Sequence, residues 1–254
     1  MITTLDNKQW KKEDILSRMV DDSFYYGYLG QNALSSSSIK TLLSSPKTYY
    51  FTTKYGSEES QALRDGRLFH TMILEPEKLN DVVFVEAATK ASKEYKLAKE
   101  AGKEVYTQTE KKAAERLADA LLRNEAVKEY LTKAQFEVPQ IAMIDGLPIR
   151  AKADILKGTT IIDLKTTTGI KDFRYSADKY GYDLQAYLYK EMYNATDFIF
   201  IAIDKGSLDI AIFECSDEFY QRGKEKFEQG ISNYKYFFQT EGVDLDQYVL
   251  RGIL

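Results

Sequence analysis

The residues best suited to chemistry lie in the stretch RAKADILKGTTIIDLK, residues 150–165: the acidic side chains of Asp154 and Asp163, and the lysine Lys165. Two runs of strand-forming residues flank a turn at Lys157-Gly158. The first run ends in Asp154, and the second carries Asp163 and Lys165. If the runs pair through the turn, Asp154 comes near Asp163 at one end of a sheet. Carboxylate oxygens are the ligands that Mg²⁺ and Mn²⁺ prefer. A lysine beside them can orient a water molecule or stabilise charge that develops on a phosphate.

The alternation of side chains along the second run predicts which groups share a face. On a strand, Ile161, Asp163 and Lys165 lie on one face, and Ile162 and Leu164 lie on the other. The predicted site is thus rich in oxygen atoms within otherwise apolar surroundings. A surface hairpin with one salt bridge explains the stretch equally well, so both interpretations stay open on these residues alone.

The composition is typical of a folded protein. The 254 residues suffice for one large domain or two small ones, and 44% are hydrophobic and 29% charged. The apolar runs are too short to cross a bilayer, and the N-terminus lacks the pattern of a signal peptide. One cysteine, Cys215, excludes an internal disulfide and a four-cysteine iron–sulfur site. We therefore expect a cytoplasmic protein with no membrane association.

The net charge of −4 argues against binding nucleic acid through bulk charge. A local basic groove, or binding assisted by metal ions, is compatible with this charge. The 19 tyrosines and 13 phenylalanines can supply stacking surfaces, although most are expected to fill the core.

The N-terminal part of the chain predicts an irregular lead-in over residues 1–33, with one short helix. One of the serines 35–37 can cap the helix that follows, and Ser45-Pro46 stops it. Lys40 and Lys47 can contact a phosphate backbone. The alternative is a capped helix with solvated lysines, which this stretch alone favours.

Residues 61–75 predict a mostly apolar helix that Pro76 ends. Gly66 inside this helix suggests close approach by another backbone or by a ligand. His70, one turn later, is the protein's single histidine. A lone histidine on an apolar helix is more often a buried structural residue than a ligand, and both roles stay open.

The rest of the chain predicts a mixed α/β (α+β) fold, in which helices flank a central mixed β-sheet. No linker divides the chain, so we expect one domain over residues 1–254. Glu137, in the strand before the central hairpin, is either a further carboxylate of the site or an edge residue. Strands are predicted at 81–86, 135–144, 147–156, 197–203 and 208–214, and helices at 107–131, 178–193 and 217–238.

Four motifs occur in a fixed order: Gly66-x-x-x-His70, Asp154, Asp163-x-Lys165 and Gln185-x-x-x-Tyr189. Together they resemble the PD-(D/E)XK nuclease superfamily in its RecB-like branch. The flanking segments resemble the RecE type, exonuclease VIII, from about residue 34 to residue 193. The Asp-x-Lys pattern alone is weak, but the order of all four motifs is specific. The flanking segments are SSSSIKTLLSSPKTYY, ALRDGRLFHTMILEPEKL, IRAKADIL, IIDLKTT and YGYDLQAYLY.

The resemblance implies a restriction-endonuclease-like core with two bound Mg²⁺ or Mn²⁺ ions. Asp154 and Asp163 would bind the metal, helped by the backbone carbonyl of Leu164. His70 would be a further ligand or a partner of one. Lys165 would position and polarise the attacking water.

Further residues take auxiliary roles in the resemblance. Gln185 and Tyr189 would brace the site or contact the DNA, and Glu137 matches an acidic strand residue of relatives more loosely. The candidate phosphate contacts are Lys40, Lys47, Arg64 and Arg67.

The activity implied by the resemblance is hydrolysis of linear duplex DNA from the 5′ end, which leaves 3′ single strands. RecE-type proteins form homo-oligomers and act beside a single-strand annealing protein in recombination, often in phages or prophages inside a bacterial host. Two alternatives are a single-strand exonuclease or flap nuclease of the same superfamily, and an inactive DNA-binding subunit. The joint presence of Asp154, Asp163 and Lys165 argues against the inactive subunit.

Overall fold

A five-stranded mixed sheet forms the centre of the protein. The computed structural model describes residues 1–87 and 89–249. The central strands lie in the order β5-β6-β7-β8-β9. The first three form an antiparallel meander, β7 and β8 are parallel, and β9 is antiparallel to β8. The strands are β1 (Ile2–Thr3), β2 (Gln9–Trp10), β3 (Val82–Val85), β4 (Glu104–Thr107), β5 (Gln135–Ile144), β6 (Leu147–Lys157), β7 (Thr160–Thr167), β8 (Asp197–Asp204) and β9 (Ile210–Glu214).

Helices cover both faces of this sheet, which confirms the predicted fold class. Their bounds are α1 (Lys12–Arg18), α2 (Leu29–Asn32), α3 (Ser36–Ser44), α4 (Pro46–Tyr55), α5 (Gln61–Leu74), α6 (Lys93–Glu100), α7 (Gln108–Arg123), α8 (Glu125–Leu131), α9 (Phe173–Tyr180), α10 (Tyr182–Tyr193) and α11 (Asp217–Tyr234). None of the described helices is long and apolar enough to cross a membrane.

The alternation predicted for β7 is confirmed. Ile161 belongs to the apolar core between the sheet and helices α3, α10 and α11, with Leu184 and Phe227. Ile162 and Leu164 belong to the core on the opposite face, under α5 and α7. Asp163 and Lys165 therefore point toward α10.

Close packing of α11 against α10 fixes the latter helix over the sheet. A Cβ atom at Gly223 would lie 2.1 Å from the carbonyl oxygen of Asp183. Only glycine permits this approach. The contact holds the α10 side chains above Asp163.

The helix caps follow local sequence rules. Ser35 caps α3 and forms a capping box with Ser38, and Thr107 does the same with Glu110 at the start of α7. The sequence analysis predicted a cap among serines 35–37, and Ser35 confirms it. Ser45 ends α3 and also caps the next helix, α4, which the sequence did not predict.

Two predicted helices differ from the structure, for local reasons. The helix expected over 107–131 breaks at Asn124, whose side chain accepts a hydrogen bond from the Val127 N–H and so begins α8. The helix expected over 178–193 is two helices, because Gly181 takes a left-handed conformation with φ of 66°. The lysine-rich stretch 90–103 contains helix α6, which Ser92 caps.

One predicted strand and one predicted helix have different bounds in the structure. The last strand begins at Ile210 rather than residue 208, since Leu208 has a positive φ of 66°. Helix α11 ends at Tyr234 and continues as a π-helical turn, Lys235–Gln239.

The segment 1–33 is regular, not the irregular lead-in that was expected. Strands β1 and β2 form a ribbon, and a π-helical turn at Ser23–Tyr28 joins α1 to α2. Ile15, Tyr25 and Leu29 form a small apolar core with Ile141 of β5. The burial of these side chains against the sheet explains the order of this segment.

Candidate active site

The candidate site lies where β6 and β7 separate. The two strands pair from Lys157↔Thr160 to Ile155↔Ile162. Asp154 is the next residue of β6, and its Oδ2 accepts a hydrogen bond from the Leu164 N–H at 2.9 Å. The carboxylate thus replaces a backbone acceptor at the fork. The expected hairpin exists and brings Asp154 beside Asp163.

A cluster of three possible metal ligands lies at this fork. His70 of α5, Glu137 of β5 and Asp154 of β6 each place a ligand atom within 4.8 Å of the other two. The His70 Nε2 lies 2.9 Å from the Leu164 carbonyl oxygen, and its Nδ1 lies 3.4 Å from Asp154 Oδ2. If Nε2 carries the proton and donates it to the carbonyl, Nδ1 and Oδ2 are two acceptors that face each other. Such an arrangement calls for a cation or a proton between them.

The electrostatics of the cluster agree with a site for a cation. Burial, and then the charge of Asp163, raise the pKa of Asp154. Burial, and then the charge of Asp154, raise the pKa of Glu137. Burial, and then the charge of Lys165, lower the pKa of His70. Without a bound ion, the site therefore disfavours ionised carboxylates and a charged imidazole. A bound divalent ion would stabilise the ionised carboxylates, and it would bind the imidazole in its neutral form.

The donor chemistry fits a divalent ion of the magnesium and manganese type. Two carboxylates and the nearby Leu164 carbonyl supply oxygen ligands, and His70 adds a nitrogen that suits Mn²⁺ better than Mg²⁺. His70, Glu137 and Asp154 would hold the ion, which would supply a Lewis acid for charge on a phosphate.

Asp163 lies beside this cluster but has other partners. Its Oδ1 accepts a hydrogen bond from Gln185 Nε2. Its buried Oδ2 forms an ion pair with the Lys165 ammonium, and it has no hydrogen bond of regular geometry among the described residues. Gln185 also accepts from Lys165 Nζ at 3.4 Å. The sequence predicted Asp163 as a ligand equal to Asp154, and this assignment stays a prediction; in this structure the contacts of Asp163 are with Lys165 and Gln185.

Lys165 stays a cation at neutral pH. Burial by itself would lower the pKa of Lys165, but Asp163 and then Asp154 outweigh burial and raise it. A lysine in this state stabilises negative charge and does not remove a proton from water.

Glu137 reaches the cluster through an unusual backbone. It has a positive φ of 48°, which costs a residue other than glycine about 1–2 kcal/mol. The flanking residues keep a single register, with Phe136 opposite Ile155 and Val138 opposite Ala153. Lys152 forms an ion pair with the Glu137 carboxylate at 3.2 Å. Glu137 thus lies on an edge strand of the sheet and places its carboxylate in the cluster.

The hydroxyl of Tyr193 is inserted between β5 and β6 at this point. It accepts from the Ala153 N–H at 3.0 Å and donates to the Val138 carbonyl at 2.5 Å. These two residues directly adjoin Asp154 and Glu137. Sequence reasoning missed Tyr193, although it lies one helical turn after Tyr189 of the Gln-x-x-x-Tyr motif and so shares its face.

Tyr193→Phe is expected to weaken divalent binding and to lower stability by about 1–3 kcal/mol, because the Ala153 N–H and the Val138 carbonyl lose their partner. Titration with Mn²⁺ by calorimetry, together with thermal melting, measures both effects. Tyr220→Phe is the matched control, since the Tyr220 hydroxyl accepts from the Phe198 N–H at 2.9 Å on a different strand. An unchanged Mn²⁺ affinity in Tyr193→Phe alone would show that the hydroxyl is purely structural.

The other predicted residues lie in different settings. Tyr189 is buried, and its hydroxyl lies 3.5 Å from the Lys152 backbone nitrogen, which suits bracing rather than DNA contact. Arg64 is buried in an ion pair with Glu110 at 3.0 Å, so its guanidinium is largely shielded from solvent. Arg67 is half-exposed and pairs with Glu59 at 2.8 Å.

The two lysines predicted as phosphate contacts, Lys40 and Lys47, also have different surroundings. Lys47 pairs with Asp246 at 3.3 Å. Lys40 lies near Lys165, whose charge adds to burial in lowering the pKa of Lys40. A Cβ at Gly66 would meet no atom of the described residues within 4 Å, so none of their backbone lies close to it, and a ligand at Gly66 stays a prediction.

The fold and the fork of acidic strands with a neighbouring lysine define a PD-(D/E)XK-like protein. The chain belongs to the family described as a PDDEXK-like domain of unknown function (DUF3799), whose model matches residues 35–243. The predicted superfamily is thereby confirmed, while the RecE-type assignment stays a prediction. No curated protein matches the chain in sequence.

One of three similar solved structures shows the same fold. A "putative exonuclease" from Eubacterium rectale aligns with a TM-score of 0.64 at 17% identity, over 97% of this chain and 96% of its own. An alkaline exonuclease from Laribacter hongkongensis aligns at 0.37 and 12% identity, over 88% and 93%. A phage-related exonuclease from Haemophilus somnus aligns at 0.37 and 13% identity, over 82% and 95%. The first likeness shows the fold alone, and the other two are too low to support an inference.

Proposed function

We propose that this chain is a deoxyribonuclease that requires a divalent metal and hydrolyses DNA phosphodiester bonds. The observation that carries this proposal is the convergence of His70, Glu137 and Asp154 within 4.8 Å, beside Lys165, whose pKa is raised by Asp163 and Asp154. A cation site and a separate ammonium are the two elements needed to stabilise charge on a phosphate under attack. Membership in a PDDEXK-like family supports the same reaction.

The protein's own residues have distinct parts in this reaction. Lys165 stabilises charge on the phosphate and orients the attacking water. Asp163 and Gln185 hold Lys165 in place, because both contact its ammonium. Lys152 offsets part of the Glu137 charge while leaving this carboxylate in the cluster.

The finer proposal is a 5′→3′ exonuclease that acts on linear duplex DNA and leaves 3′ single-stranded tails for recombination. It rests on the RecE-like segments around α3 and α5. We further propose one nuclease domain over residues 1–254, Mg²⁺ or Mn²⁺ as the cofactor with two ions bound during reaction, and a homo-oligomer. We also propose a single-strand annealing protein as partner, and action in the cytoplasm of a bacterial host carrying a phage or prophage.

Digestion of linear duplex DNA labelled separately at each end tests the proposal. With Mg²⁺ we expect early loss of the 5′ label, persistence of the 3′ label, and no digestion of closed circular duplex. Early loss of the 3′ label, or ready cutting of the circle, would overturn the polarity. Faster digestion of single strands would favour the single-strand nuclease of the same superfamily. Absence of any digestion with Mg²⁺ or Mn²⁺ would indicate the inactive DNA-binding subunit.

A further inference from the structure

A series of aromatic rings leads from the core to the surface beside the candidate site. Phe200 of β8 is buried, and its ring stacks on Tyr182 at 5.3 Å with an interplanar angle of 26°. The ring of Tyr182 lies 6.0 Å from that of Tyr180. Tyr180 is the last residue of α9 and is 47% exposed. The ring of Tyr180 thus has Tyr182 as a neighbour on its inner side and is open to solvent on its outer side.

Lysines accompany this series of rings. Lys165 Nζ lies 4.8 Å from the centre of the Tyr182 ring. Lys40 Nζ and Lys179 Nζ lie 5.7 Å and 5.5 Å from the Tyr180 ring. Within residues 1–87 and 89–249, neither Lys40 nor Lys179 has a carboxylate oxygen within 4.0 Å. Positive charge without a partner therefore surrounds an exposed ring in a chain whose net charge is −4.

The position of Lys40 is fixed by packing. Its aliphatic carbons lie against Gly181, where an added Cβ would be 3.3 Å from Lys40 Cδ. This contact joins α3 to the link between α9 and α10. It directs the ammonium of Lys40 toward the same region as Lys165, and the two charges sense each other.

Packing alone does not explain why an aromatic residue lies at the outer end. Tyr175, on the same helix, is 74% exposed. It has no ring or cation contact among the described residues. Tyr180 differs in having a supporting ring and two unpaired lysines, which together suit a ligand with both a flat face and a negative charge.

We propose that Tyr180 and Lys40 form a nucleotide subsite for an unpaired end of a DNA strand. The Tyr180 ring stacks on the terminal base, and Lys40 binds an adjoining phosphate. Lys165 lies beside Tyr182, the next ring toward the core. Bases inside a duplex are already stacked on both faces, so the ring can stack only on a terminal base. A paired terminal base offers one face and is held in the duplex, whereas an unpaired one is free to turn onto the ring. The subsite rests on the proposed nuclease function and adds the recognised feature, which is a frayed or single-stranded terminus.

Binding of labelled oligonucleotides tests this subsite without cleavage. Fluorescence anisotropy is measured with Ca²⁺ in place of Mg²⁺, on a single-stranded 12-mer and on a blunt hairpin duplex. Tyr180→Leu is expected to weaken single-strand binding roughly 5- to 100-fold, the range for loss of one stacked base. Tyr180→Phe should keep the binding of the wild type, because stacking needs the ring and not the hydroxyl. Tyr175→Leu is the matched control and should leave binding unchanged.

Lys40→Met is expected to reduce the salt dependence of binding by about one unit of slope. The subsite is overturned if Tyr180→Leu binds DNA as well as Tyr175→Leu does, or if Tyr180→Leu weakens the binding of both DNA forms equally. It is likewise overturned if Tyr180→Phe binds the single strand as weakly as Tyr180→Leu. It is also overturned if the wild-type protein does not bind the single strand. If Tyr180 supports binding but no metal permits cleavage, the proposed nuclease function fails and the subsite stands.

Discussion

Replacing Lys165 with alanine is expected to lower kcat by roughly 10²–10³ while leaving DNA affinity nearly unchanged. The raised pKa of Lys165 keeps its charge at neutral pH, and such a charge acts mainly on the transition state. Single-turnover cleavage, compared with DNA binding in Ca²⁺, separates the two effects. A loss confined to KM would show instead that Lys165 only binds DNA.

Stability must be controlled in this experiment, because Lys165→Ala also leaves the buried Asp163 without its cation. Lys226→Ala is the matched control. Lys226 forms an ion pair with the fully buried Asp183 at 2.5 Å, away from the cluster. Both variants are expected to melt at lower temperature than the wild type, but only Lys165→Ala should lose kcat. Equal losses of kcat would mean that unfolding explains the effect.

Asp154→Asn is expected to remove most divalent binding and nearly all nuclease activity while the fold stays intact. The amide oxygen can still accept the Leu164 N–H, but it is a much weaker metal ligand than a carboxylate. At a metal concentration of 100 times Kd, the wild type should gain about 2.7 kcal/mol of stability, and the variant should gain little. Thermal melting with and without Mn²⁺ measures this difference. Full activity of the variant, or undiminished wild-type activity in EDTA, would contradict the proposed metal site.

The same variant has an expected pH dependence in the absence of metal. The pKa of Asp154 is higher in the folded protein than in the unfolded chain. Folding therefore takes up protons, and the wild type loses stability as the pH rises above the unfolded value of about 4. Asp154→Asn lacks this charge, so its Tm should equal or exceed that of the wild type at pH 8. The difference should shrink as the pH falls, and it should vanish well below the unfolded value of about 4, where the wild-type carboxyl is protonated in both states.

Asp163→Asn separates the two roles of the aspartates. The sequence predicts that Asp163 binds metal like Asp154, whereas its contacts in the structure are with Lys165 and Gln185. If Asp163 mainly holds the lysine, the variant should keep much of its metal-dependent gain in Tm and still lose kcat. Loss of the metal-dependent gain would support the original assignment. Asp183→Asn, at a buried aspartate outside the cluster, should lower stability and leave metal binding unchanged.

The sequence by itself determined the features that depend on neighbouring residues. The turn at Lys157-Gly158, a helix cap among serines 35–37 and the alternation along β7 were all predicted correctly. Turn, cap and pleat geometry depend on a few adjacent side chains, which explains this success. The order of the four motifs also sufficed to identify the superfamily.

Only the tertiary structure decided which carboxylate joins the histidine. His70 meets the Leu164 carbonyl across 94 residues of sequence, and Glu137 joins them through a backbone conformation that no local pattern predicted. The burial of Arg64 against Glu110 likewise followed from the packing of α5 on α7. Partners distant in sequence are chosen by which buried polar groups can satisfy one another. That choice depends on the whole packed molecule, because an unpaired charge in its interior costs more free energy than any local preference supplies.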